Sequence, residues 1–204
     1  MVSRRDYENL KNEKNMIEQR LKKLIKDYNF LTDLNKYPGQ NIDYILAYII
    51  PAAADRQRSE LTIHCGGTKG LEKGQLVMSR NFCIIGSISY VAPEMETAKV
   101  RLITDPESKI PVCIEGLEQK LWMQGNGDNT AKISNVSREI EIPPGQEVYA
   151  LRQAGFTDWN RYIGTVLKQK YDDTNPLLLV ITVKPAWDIE ELNEVAIIIE
   201  KQQE

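Results

Sequence analysis

The N-terminal segment of this chain, residues 3–36, contains neither proline nor glycine, so no residue in it breaks a helix. Within it, leucine, isoleucine or tyrosine recurs at alternating intervals of three and four residues, with Lys14 and Asn35 as polar exceptions. This spacing is a heptad repeat, and a strict seven-residue repeat predicts helices that supercoil around one another. The residues predicted to lie at the seam between two helices are Tyr7, Leu10, Lys14, Ile17, Leu21, Leu24, Tyr28 and Leu31.

The predicted helix ends where the composition changes, because Tyr37-Pro38-Gly39 cannot continue a helix. We therefore predict a coiled-coil helix over residues 3–37 that joins two copies of the chain as a parallel homodimer. A polar residue such as Lys14 in the seam lowers stability but favours one register and two strands. The alternative is a single amphipathic helix that packs on its own domain.

The sequence after Asn41 is typical of an all-β protein, because short runs rich in isoleucine, valine and leucine alternate with clusters of glycine, proline, asparagine and aspartate. Several of these runs recur in the same order, which indicates two copies of one module. The matched runs are residues 74–77 with 145–148, 85–88 with 163–166, and 100–106 with 179–185.

We interpret the two copies as two small β-barrel-like domains, over residues 42–115 and 116–200, with an exchange of strands between them left open. The predicted fold class is mainly β with an N-terminal α-helix: a long coiled-coil helix followed by the two barrels. A glycine within a strand, such as Gly86 or Gly164, allows a tight bend or a bulge where a small barrel turns a corner.

The composition gives little material for catalysis or for nucleic-acid binding. The net charge is −3, whereas nucleic-acid-binding domains are basic. The single histidine, His64, lies beside Cys65 in a strand pattern, and neighbouring strand residues point to opposite faces. This placement argues against a Cys–His dyad and a zinc site. We therefore predict a protein that is not an enzyme and has no catalytic residues, cofactor, metal or nucleic-acid partner. The alternative is a barrel hydrolase that uses His64.

Residues 152–162 mix aromatic side chains with arginine, a combination that is enriched at the centres of protein interfaces. The candidate partner interface consists of Phe156, Trp159, Arg161 and Tyr162. The alternative is that Phe156 and Trp159 cap one end of a barrel. Trp122, which is adjacent to Met123, is predicted to lie in a core.

An ordered set of motifs follows the heptad helix. The motifs are Leu61-Thr62-Ile63-x-x-Gly66-x-x-x-Gly70-Leu71-x-x-Gly74-x-x-Val77, Ile85-Gly86, Leu102-Ile103-Thr104-Asp105-Pro106 and Val183-x-Pro185-Ala186-x-Asp188-x-x-x-Leu192-x-x-Val195. In this order they resemble the family of the bacterial rod shape-determining protein MreC over nearly the whole chain. One departure is the segment between Val148 and Gly164, where the family usually has a glycine-rich stretch with Phe-Pro and this chain has no proline.

The resemblance implies a scaffold of the cell-elongation machinery that dimerises through its helix and organises cell-wall synthases for rod shape. It implies the membrane protein MreD and a penicillin-binding transpeptidase as partners. It further implies a single-pass protein of the inner (cytoplasmic) membrane, whose periplasmic part is this chain and whose membrane helix would precede Met1. The alternative is a periplasmic adaptor of an export system, resembling membrane-fusion proteins, which also joins helices to small β domains.

Overall fold

The N-terminal helix that the heptad pattern predicts is present as α1, which spans Arg4–Asn35 and contains 32 residues. The computed structural model describes residues 4–35, 42–51, 59–65, 70–117, 119–151 and 161–200. The chain divides into two units, of which Met1–Pro38 contains α1 and Gly39–Glu204 contains the strands. The described helical residues include no apolar stretch long enough to span a bilayer.

The second unit is built from twelve described strands and one 3₁₀ turn, Pro93–Met95. The strands are β1 (Ile42–Ile49), β2 (Glu60–His64), β3 (Leu76–Ser79), β4 (Ile84–Ala92), β5 (Thr97–Leu102), β6 (Lys109–Ile114), β7 (Leu121–Gly125), β8 (Ala131–Ser137), β9 (Glu147–Ala150), β10 (Arg161–Tyr171), β11 (Leu178–Pro185) and β12 (Glu194–Glu200).

These strands close two antiparallel barrels, which confirms the mainly β fold class. The first barrel has the strand order β1-β12-β3-β4-β5-β2, and the second has the order β10-β11-β8-β7-β6-β9. In the first barrel β12 lies between β1 and β3, with Ile197 opposite both Ile45 and Val77. The second barrel is therefore inserted in the chain between β5 and β12 of the first.

This topology differs from the expected division at residues 115 and 116. β6 falls within the expected first domain but belongs to the second barrel, and β12 falls within the expected second domain but belongs to the first. Val195 and Ile197 of β12 are completely buried. The hydrophobic pattern of β12 predicts a strand but does not say which barrel it completes, because that choice depends on contacts distant in sequence.

Strand alternation fills the barrels as expected. Leu61 and Ile63 of β2 are buried in the first barrel, while His64 is exposed. Aliphatic side chains dominate the core of the first barrel: Ala47, Leu61, Ile63, Leu71, Val77, Ile85, Ile88, Ala98, Val100, Leu102, Val195 and Ile197. The expectation that Trp122 lies in a core is wrong. Met123 is completely buried, and the alternation of β7 therefore turns Trp122 outward, where its side chain is 49% exposed.

Gly86 and Gly164 occupy equivalent positions in the two barrels. The register shifts beside Gly86 where β4 pairs with β3 and beside Gly164 where β10 pairs with β9, which confirms the predicted bulges. A β-carbon on Gly86 would lie 2.0 Å from the carbonyl oxygen of Arg101, and one on Gly164 would lie 2.0 Å from that of Lys184. Both positions require glycine because the neighbouring backbone approaches too closely for a side chain.

The third pair of matched runs in the sequence does not align residues that are equivalent in the two barrels. The sequence alignment pairs Pro106 with Pro185, but Leu102 is the residue opposite Gly86 and Pro185 is the residue opposite Gly164. Pro185 is therefore equivalent to Leu102. The two prolines share a residue type and not a place in the strand register.

Candidate interaction surfaces

The described part of α1 presents an apolar stripe along one side. Ile17, Leu21, Leu24 and Tyr28 are 62%, 54%, 59% and 70% exposed. At about 100° per residue, these four side chains fall within roughly 60° around the helix axis. Of the other predicted seam residues, Lys14 is exposed, and the side chains of Tyr7, Leu10 and Leu31 lie outside the described residues.

An exposed stripe of this kind gains stability when a second apolar surface covers it. Burying a side chain of this size and exposure contributes about 1–2 kcal/mol. Lys14 lies 3.6 Å from Glu18 on the next turn, and both side chains are mostly exposed, so this ion pair contributes little to the helix. Covering the stripe with a second apolar surface is therefore energetically favourable.

The candidate interface at residues 152–162 is only partly described. Phe156 and Trp159 lie outside the described residues. Arg161 is only 4% exposed, and its Nη2 donates a long hydrogen bond of 3.4 Å to the hydroxyl of Tyr44. Because Arg161 lies in β10 of the second barrel and Tyr44 in β1 of the first, the guanidinium group joins the two barrels. Arg161 is thus mostly covered within this chain, and its place in a partner interface stays a prediction.

Tyr162 is half-buried beside the same junction. Its ring centroid lies 5.7 Å from that of Tyr149, with the rings tilted by 55°. The hydroxyl of Tyr149 donates a hydrogen bond to the carboxylate of Glu147, and this bond, followed by burial and nearby negative charge, raises the pKa of Tyr149 to about 12. Burial, followed by the nearby charges of Glu147 and Cys83, raises the pKa of Tyr162. Of the two described residues of this segment, Arg161 thus contacts the first barrel and Tyr162 packs against Tyr149 of its own barrel.

A second surface, which the sequence reasoning missed, surrounds Trp122. The Nζ atoms of Lys109 and Lys120 lie 5.4 Å and 5.3 Å from the centroid of the Trp122 ring. These distances are within the range of cation–π attraction. The signal that would have found this surface is the pattern of residues 121–125, in which Trp122 shares a strand face with the polar Gln124.

The three cysteines lie in environments that suppress the thiolate. Burial raises the pKa of Cys65 to about 11 and, as the main cause, also raises the pKa values of Cys83 and Cys113. A thiol with a raised pKa is a poor nucleophile and a poor metal ligand at neutral pH. Among the described residues, no group of three or more histidine, cysteine or acidic side chains is placed to hold a metal ion.

Comparisons with known proteins agree on one family. The family model of rod shape-determining protein MreC, barrel core, matches residues 49–199. A solved structure of MreC has a TM-score of 0.73 at 18% identity, and the alignment covers 88% of this chain and 98% of that one. MreC from Listeria monocytogenes has a TM-score of 0.65 at 18% identity, with 97% of this chain and 95% of that one covered.

A third similar structure comes from the complex between Penicillin-Binding Protein (PBP2) and MreC from Helicobacter pylori. It has a TM-score of 0.59 at 16% identity, and the alignment covers 79% of this chain and 99% of that one. At such identities these structures show a shared fold. Among curated protein sequences there is no significant match. Neither the family model nor these structures support the export-adaptor alternative.

Proposed function

This chain belongs to the MreC family of rod shape-determining proteins, and from that premise we propose that it is a non-enzymatic scaffold of the bacterial cell-elongation machinery. In this role α1 joins two copies of the chain, and the barrels hold and present surfaces to cell-wall synthases. The partners are a penicillin-binding transpeptidase and an MreD-type membrane protein. The barrels act on the periplasmic side of the inner membrane, to which a helix preceding α1 attaches the protein.

The observation that carries the proposal is the exposed apolar stripe of Ile17, Leu21, Leu24 and Tyr28 on α1. Monomeric proteins rarely leave several large apolar side chains exposed in one contiguous row. A heptad row is self-complementary between two parallel copies. Pairing also doubles the number of partner-binding surfaces, which raises the avidity for partners that are confined to one membrane.

Support for the transpeptidase as partner comes from the Helicobacter pylori structure, in which MreC is in complex with PBP2. Support for a non-enzymatic role comes from the site chemistry. The thiols Cys65, Cys83 and Cys113 all have raised pKa values, and His64 faces outward from the first barrel. These groups lack the paired base and nucleophile that covalent catalysis needs.

The dimer is tested by sedimentation velocity from low to high micromolar concentration. We expect the wild type to sediment as a concentration-dependent dimer and Leu21→Asp/Leu24→Asp to sediment as a monomer, since two charges would be buried in the seam. The matched control is Asn12→Asp/Asn15→Asp, which adds the same charge at exposed positions outside the stripe and should still dimerise. A monomeric wild type at high micromolar concentration contradicts the proposed dimer.

The scaffold role is tested in the source bacterium after depletion of the native protein. We expect the wild-type protein to restore rod shape, and the full-length protein with Leu21→Asp/Leu24→Asp to restore it poorly while remaining at normal abundance. In vitro, the extracytoplasmic part of the transpeptidase from the same bacterium should bind the wild-type chain. Rods that persist after depletion, together with no binding of the transpeptidase, would contradict the proposed function.

A further inference from the structure

Strand β10 of the second barrel extends beyond the strand that borders it on one side. Its ladder to β11 continues to Tyr171, whereas its ladder to β9 ends at Thr165. Val166 still exchanges backbone hydrogen bonds with the turn before β9. Among the described residues, 167–171 therefore have a strand neighbour on one side only, and all of them are exposed. We call residues 167–171 the open edge.

The hydrogen bonds of the β10–β11 hairpin fix which backbone groups the open edge presents. The N–H of Asp172 donates to the carbonyl of Leu178 at 2.9 Å, so these residues form a hydrogen-bonded pair. In an antiparallel ladder such pairs alternate with pairs whose N–H and C=O groups point outward. Gln169 and Tyr171 belong to the second kind, since Tyr171 directly precedes Asp172 in the ladder. The N–H and C=O groups of both residues are therefore available to an added strand.

The equivalent edge of the first barrel is shorter and ends in proline. Tyr90 and Lys168 each follow the bulge of their strand, and counting onward from them makes Pro93 equivalent to Tyr171. Pro93 begins the 3₁₀ turn and has no N–H to donate. Proline is one of the residues with which natural edge strands avoid unwanted pairing. The chain thus blocks this edge in the first barrel and leaves it open in the second.

Two lysines decide what kind of strand the open edge accepts. Lys168 and Lys170 are exposed and, at alternate positions, lie on the same face of the sheet. Two copies of the open edge paired antiparallel over its full length would place each Lys168 opposite a Lys170, which is unfavourable. Asp173 lies 2.9 Å from the Nζ of Lys170, but both side chains are mostly exposed and such a pair is easily exchanged. A strand with acidic residues at two alternate positions matches both lysines.

We propose that the open edge binds an extended acidic segment of a partner protein as an added β-strand. The backbone groups of Gln169 and Tyr171 bond to the segment, and its carboxylates at alternate positions pair with Lys168 and Lys170. The side chain of Tyr171, which is 64% exposed, adds an apolar contact. This binding site goes beyond the scaffold function and does not use the stripe on α1.

The probe is the synthetic peptide acetyl-Thr-Val-Glu-Val-Glu-Val-Thr-amide, which is added to the intact chain while amide hydrogen exchange is followed by NMR. In the free chain the amide protons of Gln169 and Tyr171 should exchange rapidly. In the complex they should exchange about tenfold or more slowly, because the peptide carbonyls accept them. The amide protons of Lys168 and Lys170, which are bonded to β11 in both states, should change little.

Two further peptides separate strand pairing from attraction between charges. A peptide with lysine in place of both glutamates should bind about tenfold or more weakly. A peptide that is methylated at its valine nitrogens keeps both carboxylates but lacks the N–H groups that a ladder needs, and should not bind. Equal binding of the methylated peptide would show charge attraction alone and overturn the proposal.

Variants of the chain test the same contacts from the other side. Lys168→Glu/Lys170→Glu should reverse the preference, so that the lysine peptide binds more tightly than the glutamate peptide. Tyr171→Pro copies Pro93 of the first barrel and removes an outward N–H without removing a bond to β11. It should weaken binding of the glutamate peptide about tenfold. Thermal unfolding of each variant confirms that it is folded.

The matched control is Lys22→Glu/Lys73→Glu, which makes the same change of charge at exposed lysines elsewhere and should bind within about twofold of the wild type. Equal affinities of all variants, or unchanged exchange at the open edge with peptide in excess, would overturn the proposal and leave the scaffold function intact. Self-association that persists in Leu21→Asp/Leu24→Asp and is abolished by adding Tyr171→Pro would assign the open edge to a second copy of the chain, which also overturns it.

Discussion

The two barrels share one three-strand unit and differ in how the chain closes them. The unit is β3-β4-β5 in the first barrel and β9-β10-β11 in the second. The second barrel uses strands that are consecutive in the chain, β6 to β11, whereas the first takes its sixth strand, β12, from beyond the second barrel. The shared unit is thus encoded locally, and closure of the first barrel depends on the far end of the chain.

Hydrogen bonds at the start of each unit show how close the equivalence is. The N–H of Gly74 donates to the carbonyl of Ile88 at 2.8 Å, and the N–H of Gly145 donates to the carbonyl of Val166 at 2.8 Å. Both glycines have positive φ angles, 97° and 92°. The turn before each unit therefore requires the same left-handed residue, for which glycine carries no steric penalty.

The largest expected effect comes from removing β12. A chain that ends at residue 193 loses Val195, Ala196, Ile197 and Ile198, which are at most 3% exposed, and opens the ladders to β1 and β3. The free energy of unfolding of the first barrel falls by more than about 5 kcal/mol, which is comparable to the whole stability of a small domain. We expect hydrogen exchange to show that β1 to β5 lose protection while β6 to β11 keep theirs.

A chain that ends at Glu200 is the control for this truncation and should keep protection in both barrels. Retained protection of β1 to β5 in the shorter chain would show that the first barrel does not depend on β12. Loss of protection in both barrels would show that the second barrel needs the first for its stability, and the contrast between local and distant closure would then be wrong.

The next effect in size comes from filling the two strand glycines. Gly86→Ala and Gly164→Ala each place a β-carbon 2.0 Å from a backbone carbonyl oxygen, which the adjacent strand cannot avoid without moving. We expect each to reduce the free energy of unfolding by about 3 kcal/mol or more, as measured by urea denaturation. Gly145→Ala is the matched control, since a β-carbon there meets no atom within 4 Å and only the positive φ is strained.

The control variant, Gly145→Ala, should reduce the free energy of unfolding by about 1 kcal/mol. If Gly86→Ala costs no more than Gly145→Ala, the close approach of β4 to β5 does not require glycine. If the losses of unfolding free energy in Gly86→Ala and Gly164→Ala differ by several kcal/mol, the two three-strand units are equivalent in geometry but not in rigidity.

A smaller effect is expected at the segment that leads from the second barrel back to the first. The indole Nε1–H of Trp187 donates to the carbonyl of Ile84 in β4 at 2.9 Å, and the ring packs against the first core. Trp187→Phe removes this hydrogen bond and should cost about 1–2 kcal/mol. Trp122→Phe, at a position that is 49% exposed, is the comparison and should change stability by less than about 0.5 kcal/mol. Equal unfolding midpoints for the two variants would contradict the bridging role of Trp187.

The smallest effect is a pH dependence carried by Cys65 beside the first core. Burial raises its pKa from 9.0 to about 11, so the folded state retains a proton that the unfolded state loses between these values. Stability should therefore fall as the pH rises from about 9 to about 11. Cys65→Ser lacks this thiol, and its stability should fall less over the same range in chemical denaturation. Parallel pH profiles of the wild type and Cys65→Ser would contradict the effect of burial.

The sequence alone predicted the features that residues close together in the chain determine. The absence of helix breakers before Tyr37 predicted α1, and the alternation of Leu61, Ile63 and His64 predicted which side of β2 is buried. The bulges beside Gly86 and Gly164 followed from the rarity of glycine within strands. In each case the physical cause acts over a few residues, so a short window of sequence contains it.

The same reasoning failed where a residue's surroundings come from elsewhere in the chain. The sequence did not show that Arg161 is only 4% exposed, with its guanidinium hydrogen-bonded to Tyr44 of the other barrel. Trp122 was predicted to lie in a core, but the alternation of β7 buries its neighbour Met123 and turns Trp122 outward. The contacts of Lys109 and Lys120 with the ring of Trp122 were missed, since only the pairing of β6 with β7 brings these residues together.

By itself the sequence determined the helix, the two β modules and the glycines at which their strands approach each other. Only the tertiary structure decided that β12 completes the first barrel and that Lys109 and Lys120 lie beside the ring of Trp122. The physical reason is that the local pattern of residues sets which face of a strand is apolar. The partner of that strand is set by hydrogen bonding to a segment distant in sequence. The entropic cost of bringing the two segments together depends only weakly on the length of chain between them, so sequence distance does not identify the partner.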